Sequence, residues 1–161
     1  MTTKNYIAVG STGVVTVAPT CDTSAYATGE LIGGKLTFTG AMREKYGTGV
    51  IHSVVIADKA KQNVALDIVL FDSDPSSTTF TDQATLTIAD ADLLKVVGVI
   101  SVVATDYKSF ADNSVADLKN IGLIVKSNSS STSLYGCLVS RGTPTYASAT
   151  DLQIKLKILQ D

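Results

Sequence analysis

The feature that most constrains this chain is an alternation near its end. Leu152, Ile154, Leu156 and Ile158 are separated by Gln153, Lys155 and Lys157. A period of two over seven residues is the pattern of a strand with one buried face and one wet face. Val64, Leu66, Ile68 and Leu70 alternate in the same way, but Val69 and Phe71 also make the second face apolar. That strand is expected to be more central. Val, Ile and Thr together number 48 of the 161 residues. Branched side chains of this kind suit a pleated surface and lose rotamer freedom in a helix.

Further strands are expected at Val14–Val17, Leu31–Thr39, Val50–Ala57, Val99–Ala104, Leu118–Lys126 and Leu134–Arg141. Turn-forming residues separate them: Pro19, Gly33-Gly34, Gly47-Thr48-Gly49, Asp72–Ser77, Asn128–Ser133 and Gly142–Pro144. Long amphipathic helices are missing from the pattern. Many short strands with polar turns predict an all-β fold: an antiparallel two-sheet sandwich, jelly-roll-like, of about eight strands. One short helix is expected near 90–96, with Asp90 capping Ala91–Lys95 and Asp92 in its first turn. Ser114–Lys119 is a weaker helix candidate. A chain of this length reads as a single domain, here residues 13–161, preceded by a possible N-terminal arm at 1–12.

Composition narrows the partners. The net charge is −2 and the 13 basic residues are scattered. No basic stripe is present to neutralise phosphates, so a nucleic-acid partner is not expected. The apolar runs are too short to span a bilayer, and the start MTTKNYIAVGSTG carries no secretion pattern. Cys21 and Cys137 lie far apart without a CxxC and read as separate reduced thiols.

Candidate chemistry concentrates between Val64 and Leu94. Asp67, Asp72, Asp74, Asp82, Asp90 and Asp92 could supply oxygen ligands to calcium. Their spacing does not match an EF-hand, and Pro75 after Asp74 points to Asx-type turns instead. Two aspartates could also form a glycosidase pair, but the chain has no tryptophan to stack a sugar. His52, the one histidine, shares the alternating face of Val50, Val54 and Ile56 and reads as a structural residue. No GxSxG, HExxH or P-loop occurs, and Gly47 and Gly49 precede a strand, which suggests a hairpin or bulge. The six tyrosines are candidates for an interface or for the rim of the core. No catalytic, cofactor-binding or metal-binding residue is assigned, and no cofactor is expected.

Three stretches taken together carry a resemblance: YATGELIGGKLTFTGAMREKYGTGVIHSVVIADK, VALDIVLFDSDPSSTTFTDQATLTIADADLLKVVGVI and LYGCLVSRGTPTYASATDLQIKLKIL. They resemble small structural proteins encoded among the head genes of tailed bacteriophages, the capsid decoration or auxiliary head proteins. The resemblance covers most of the chain after about Ala25 and carries no residue roles with it. It implies a non-enzymatic β module on the capsid exterior, made in the host bacterial cytoplasm. Its partner would be the major capsid protein, and a homo-oligomer would be a trimer rather than a dimer. Tyr6, Ile7 and Val9 of the arm are the candidate partner-binding residues, since an arm can add a strand to a neighbouring sheet edge. The alternative is a glycan- or receptor-binding β-sandwich on a head fibre or tail component.

Overall fold

The computed structural model describes residues 10–128 and 130–161, and the arm residues Tyr6, Ile7 and Val9 lie outside it. Among the described residues, ten strands form two antiparallel sheets. They are β1 (Ser11–Val17), β2 (Leu36–Phe38), β3 (Thr48–Asp58), β4 (Leu66–Phe71), β5 (Val96–Val102), β6 (Tyr107–Ser109), β7 (Ser114–Leu118), β8 (Leu123–Lys126), β9 (Leu134–Ser140) and β10 (Leu152–Gln160). The helix α1 covers Asp90–Leu93, and a 3-10 turn spans Ala104–Asp106.

The larger sheet runs β1-β10-β3-β7-β6, with β8 also on β3; the smaller runs β2-β9-β4-β5. The pairing is nested: β1 with β10, β2 with β9, β3 with β7 and β8, β4 with β5. A long hairpin rolled up on itself gives this order, which is that of a jelly roll. The all-β sandwich expected from the strand pattern is the fold.

Burial follows the alternation. Leu152, Ile154, Leu156 and Ile158 are within 1% of full burial, while Lys157 is exposed. They meet Ile51, Val54 and Ile56 of the same sheet and Leu66, Ile68, Leu70 and Leu138 of the facing one in a single cluster. Cys21 and Cys137 are buried free thiols, in the main core and in a second, outer cluster respectively. Burial pushes the Cys21 thiol up to about 11 and the Cys137 thiol up to about 12, so both stay protonated at neutral pH.

Several local expectations are corrected. Ser114–Lys119 contains no helix: Ser114–Leu118 is β7, paired with β3 from Val54 to Asp58. The strand expected over Leu118–Lys126 is interrupted, because Asn120 and Gly122 take positive φ of 57° and 67°. That break, together with the three-residue edge strand β6, raises the count from about eight to ten. Only Leu36–Phe38 of the expected Leu31–Thr39 strand is regular, since Gly33 turns the chain at φ 70°. Ser11 and Thr12, placed with the arm, already pair with Gln160 and Leu159 in β1. Gly47 closes a turn on the Glu44 carbonyl at 3.0 Å ahead of β3 and makes no hairpin. Asp90 is the first helical residue and not a cap; the N-cap position is Ala89, with no side-chain bond.

His52 is the most instructive difference. Pairing between β10 and β3 shifts register there: Lys157 faces Ser53 and Ile158 faces Ile51. The extra residue is a β-bulge, which reverses the side-chain phase along the strand. Ile51 points inward before the bulge, Val54 and Ile56 after it, and His52 is exposed. It therefore shares a face with neither Val54 nor Ile56.

Leu156→Ala, in the shared core, is expected to cost about 2–5 kcal/mol of stability. Leu159→Ala, three residues on and facing outward, should stay within about 0.5 kcal/mol. Urea unfolding of the two variants checks the assignment of faces; equal losses would contradict it.

Candidate functional site

The acidic stretch that the sequence singles out is a cover for the smaller sheet. Val69 and Phe71 of β4 and Cys137 and Val139 of β9 project away from the main core. They would be wet were it not for the segment between β4 and β5. That segment folds back and lays Phe80, Leu86 and Ile88 over them, with Leu31 completing the cluster. Phe80 meets Phe71 edge-on, with ring centroids 6.1 Å apart.

The aspartates hold this cover in place. Asp92 is fully buried. Its Oδ2 accepts the Ser77 N–H and the Thr78 hydroxyl, both at 2.8 Å, and its Oδ1 takes the Lys95 ammonium at 2.7 Å. Thr78 Oγ1 in turn accepts the Ala89 N–H at 3.1 Å. Burial pushes the Asp92 carboxyl up, but Lys95 and the donors from Thr78 and Ser77 outweigh it and hold it below the usual carboxylate range. Lys95 Nζ also donates to the Asp74 carbonyl at 2.7 Å, and the Asp74 carboxylate pairs with Lys35 at 2.5 Å.

Asp82 fastens the other end of the segment. Its Oδ1 accepts the Gly33 N–H at 2.7 Å and the Tyr26 hydroxyl at 2.9 Å. Asp67 on β4 accepts Ser101 at 2.7 Å and Arg141 Nε at 2.6 Å. Asp72 takes the Ser73 hydroxyl at 2.7 Å, and Asp90 is exposed on α1. The six aspartates are thus distributed over separate contacts. Among the described residues, no group of three or more His, Cys, Asp or Glu side chains is placed to hold a metal ion.

The tyrosines divide. Tyr26, Tyr107 and Tyr146 are buried, whereas Tyr46 is exposed on the loop before β3. Sequence reading put them at the rim or on an interface. Three instead lie inside, a placement that their loop and strand-end positions do not signal.

The larger sheet has the opposite character to the smaller one. Among the described residues, nothing covers its outer face. Thr12, Leu159, Val50 and Ile124 face one another in a row across β1, β10, β3 and β8. Ile124 is 76% exposed, Val14 in the adjoining row 63% and Leu159 48%. His52 and Lys157 border the row. Two shallow depressions, of 230 and 360 Å³, lie on this face; Gly10, the first described residue, lines the second. The face was not foreseen, because the sequence reading named strands over Val50 and Ile124 without assigning either an open apolar face.

No protein-family model matches the chain, and no curated protein matches it. Among solved structures, one of Desmodium yellow mottle tymovirus is 13% identical with a TM-score of 0.33, covering 95% of this chain and 86% of that one. A family two carbohydrate esterase from Cellvibrio japonicus is 11% identical with a TM-score of 0.22, and the match spans 93% of this chain and 34% of the esterase. Both superpositions are too loose to bear on activity. The jelly-roll order rests on the strand pairing itself.

Asp92→Asn is expected to lower the thermal midpoint at neutral pH. The sign of its pH effect follows from a folded-state pKa below the unfolded value of about 3.9. The stabilisation is present above that value and is lost as pH falls through the lower folded one. The wild type should lose stability in acid more steeply than Asp92→Asn. Thermal melts from pH 7 down to roughly 2 measure this; parallel curves would remove Asp92 from the role.

Proposed function

We propose that this protein is a non-enzymatic virion structural module, a capsid decoration or cement protein that binds the major capsid protein lattice from outside. The observation that supports this reading best is the open apolar row Leu159–Val50–Ile124 with Val14 beside it. A contiguous apolar patch on a sheet face is a surface for a protein partner. Sheet faces left bare in this way contrast with the smaller sheet, whose outer face the chain covers with its own loop.

Gly10, the first described residue, lies at the margin of this face, and the proposed arm residues Tyr6, Ile7 and Val9 precede it in the sequence. An arm can add a strand to a partner's sheet edge by main-chain hydrogen bonds, with little sequence signature. Binding the assembled lattice in preference to separate subunits would stabilise the head by mass action. The jelly-roll architecture recurs in viral capsid domains and also in lectins and cupins, so the fold alone does not choose among them. The resemblance to phage head proteins, the open face and the aspartates engaged in holding the loop favour the structural role.

Two variants test it on purified heads. Ile124→Lys with Leu159→Asp should abolish co-sedimentation with capsids while the melting curve stays close to wild type. Deletion of Met1–Val9 should weaken attachment and leave the domain folded. Full occupancy by the charged double variant would overturn the reading; full occupancy by the truncated chain would remove the arm from it.

A further inference from the structure

One end of the sandwich gathers buried polar atoms that the fold leaves without partners. Asp58 ends β3 and Ser114 begins β7, and the two face each other across the β3–β7 ladder. Each is 1% exposed. Tyr107, at the start of β6, and Tyr146, on the loop before β10, are 7% and 1% exposed. Asp58 Oδ1, Ser114 Oγ, Tyr107 OH, Tyr146 OH and Asn63 Oδ1 all lack a hydrogen-bond partner. The other Asp58 oxygen accepts the Asn63 N–H at 2.9 Å, and the backbone N–H groups of Gln62, Ala60 and Lys61 also favour the charged carboxylate.

These atoms belong to one neighbourhood. The charge of Asp58 acts on both phenols, and Tyr107 also acts on Tyr146, although burial is the larger cause of their upward shifts. Asn63 donates through Nδ2 to Ser109 at 3.1 Å, tying the turn after β3 to β6. Asn63 also lines a cavity of 350 Å³ with Gln62, Arg141 and Pro144, which opens this end to solvent.

Leaving five buried polar atoms unpaired in one place would carry a desolvation penalty of a kind folded proteins rarely bear. We propose that this end of the sandwich is a built binding site for ordered water, held by Asp58, Tyr107, Ser114 and Tyr146 and filled by way of Asn63. The donor count selects water over a cation. Asp58 Oδ1 and Asn63 Oδ1 can only accept, whereas the two phenols and the serine each bring a proton to donate. Water molecules offer protons to the first pair and lone pairs to the second group, and three hydroxyl donors call for more than one of them. A cation would satisfy the oxygens and leave three hydroxyl protons with no acceptor. The water would join β3, β6, β7 and the loop before β10, adding to the side-chain bonds that already tie the turn after β3 to β6 and to that loop.

Two measurements decide this. A crystal structure at about 1.2 Å is expected to show water at roughly 2.7–3.1 Å from Asp58 Oδ1 and from at least one phenol oxygen. Density with contacts of about 2.3–2.6 Å would indicate a cation instead. Direct bonds among the four side chains, or an empty space between them, would equally overturn the proposal. Separately, Tyr146→Phe and Tyr107→Phe each delete one buried hydroxyl. If that hydroxyl is bonded to water, the thermal midpoint falls. If it has no partner, its removal raises the midpoint or leaves it unchanged, and the site is lost.

Discussion

The four-stranded sheet is apolar on both faces, and this constraint governs the rest of the molecule. One face closes the main core against the larger sheet. The other, built from Val69, Phe71, Cys137 and Val139, has to be covered by something. The chain supplies the cover from the long connection between β4 and β5, which brings Phe80, Leu86 and Ile88 onto it. A covering loop without regular strands needs fixed points. Asp92 provides one through Ser77, Thr78 and Lys95, and Asp82 another through Gly33 and Tyr26. The acidic character of the stretch is therefore a structural property. The carboxylates accept backbone and hydroxyl protons that a buried loop would otherwise leave unpaired.

The two sheets then differ in a way that bears on function. The smaller is finished by the chain itself. The larger keeps an apolar row that the described residues leave open, with Gly10 at its margin. Under the proposed role, a module that covers one face and bares the other would dock by the bare one. The proposed role on a capsid surface rests on that asymmetry.

How much of this was legible depended on whether the signal was local. The alternation of β10 was, because each side chain's face follows from its own position in a period of two. The apolar second face of β4 was legible too, in Val69 and Phe71, though not what would cover it. The bulge at His52 was not legible, since nothing in IHSVV marks the extra residue and a one-residue shift reverses every face beyond it. Asp90 and Asp92 both looked like helix-start residues at short range. Asp92 bonds instead to Ser77 and Thr78, 15 and 14 positions away. The Asp82–Tyr26 bond spans 56 positions. The buried polar cluster joins residues 58, 63, 107, 114 and 146, which only the nested pairing brings to one end.

The central claim is that the outer face of the β1–β10–β3–β8 sheet is the docking side. An electron cryo-microscopy reconstruction of the intact virion tests it most directly. The account predicts density for this module on the head exterior, with Leu159, Val50 and Ile124 turned against the major capsid protein. A module seated with that face toward solvent, or absent from the head, would contradict it.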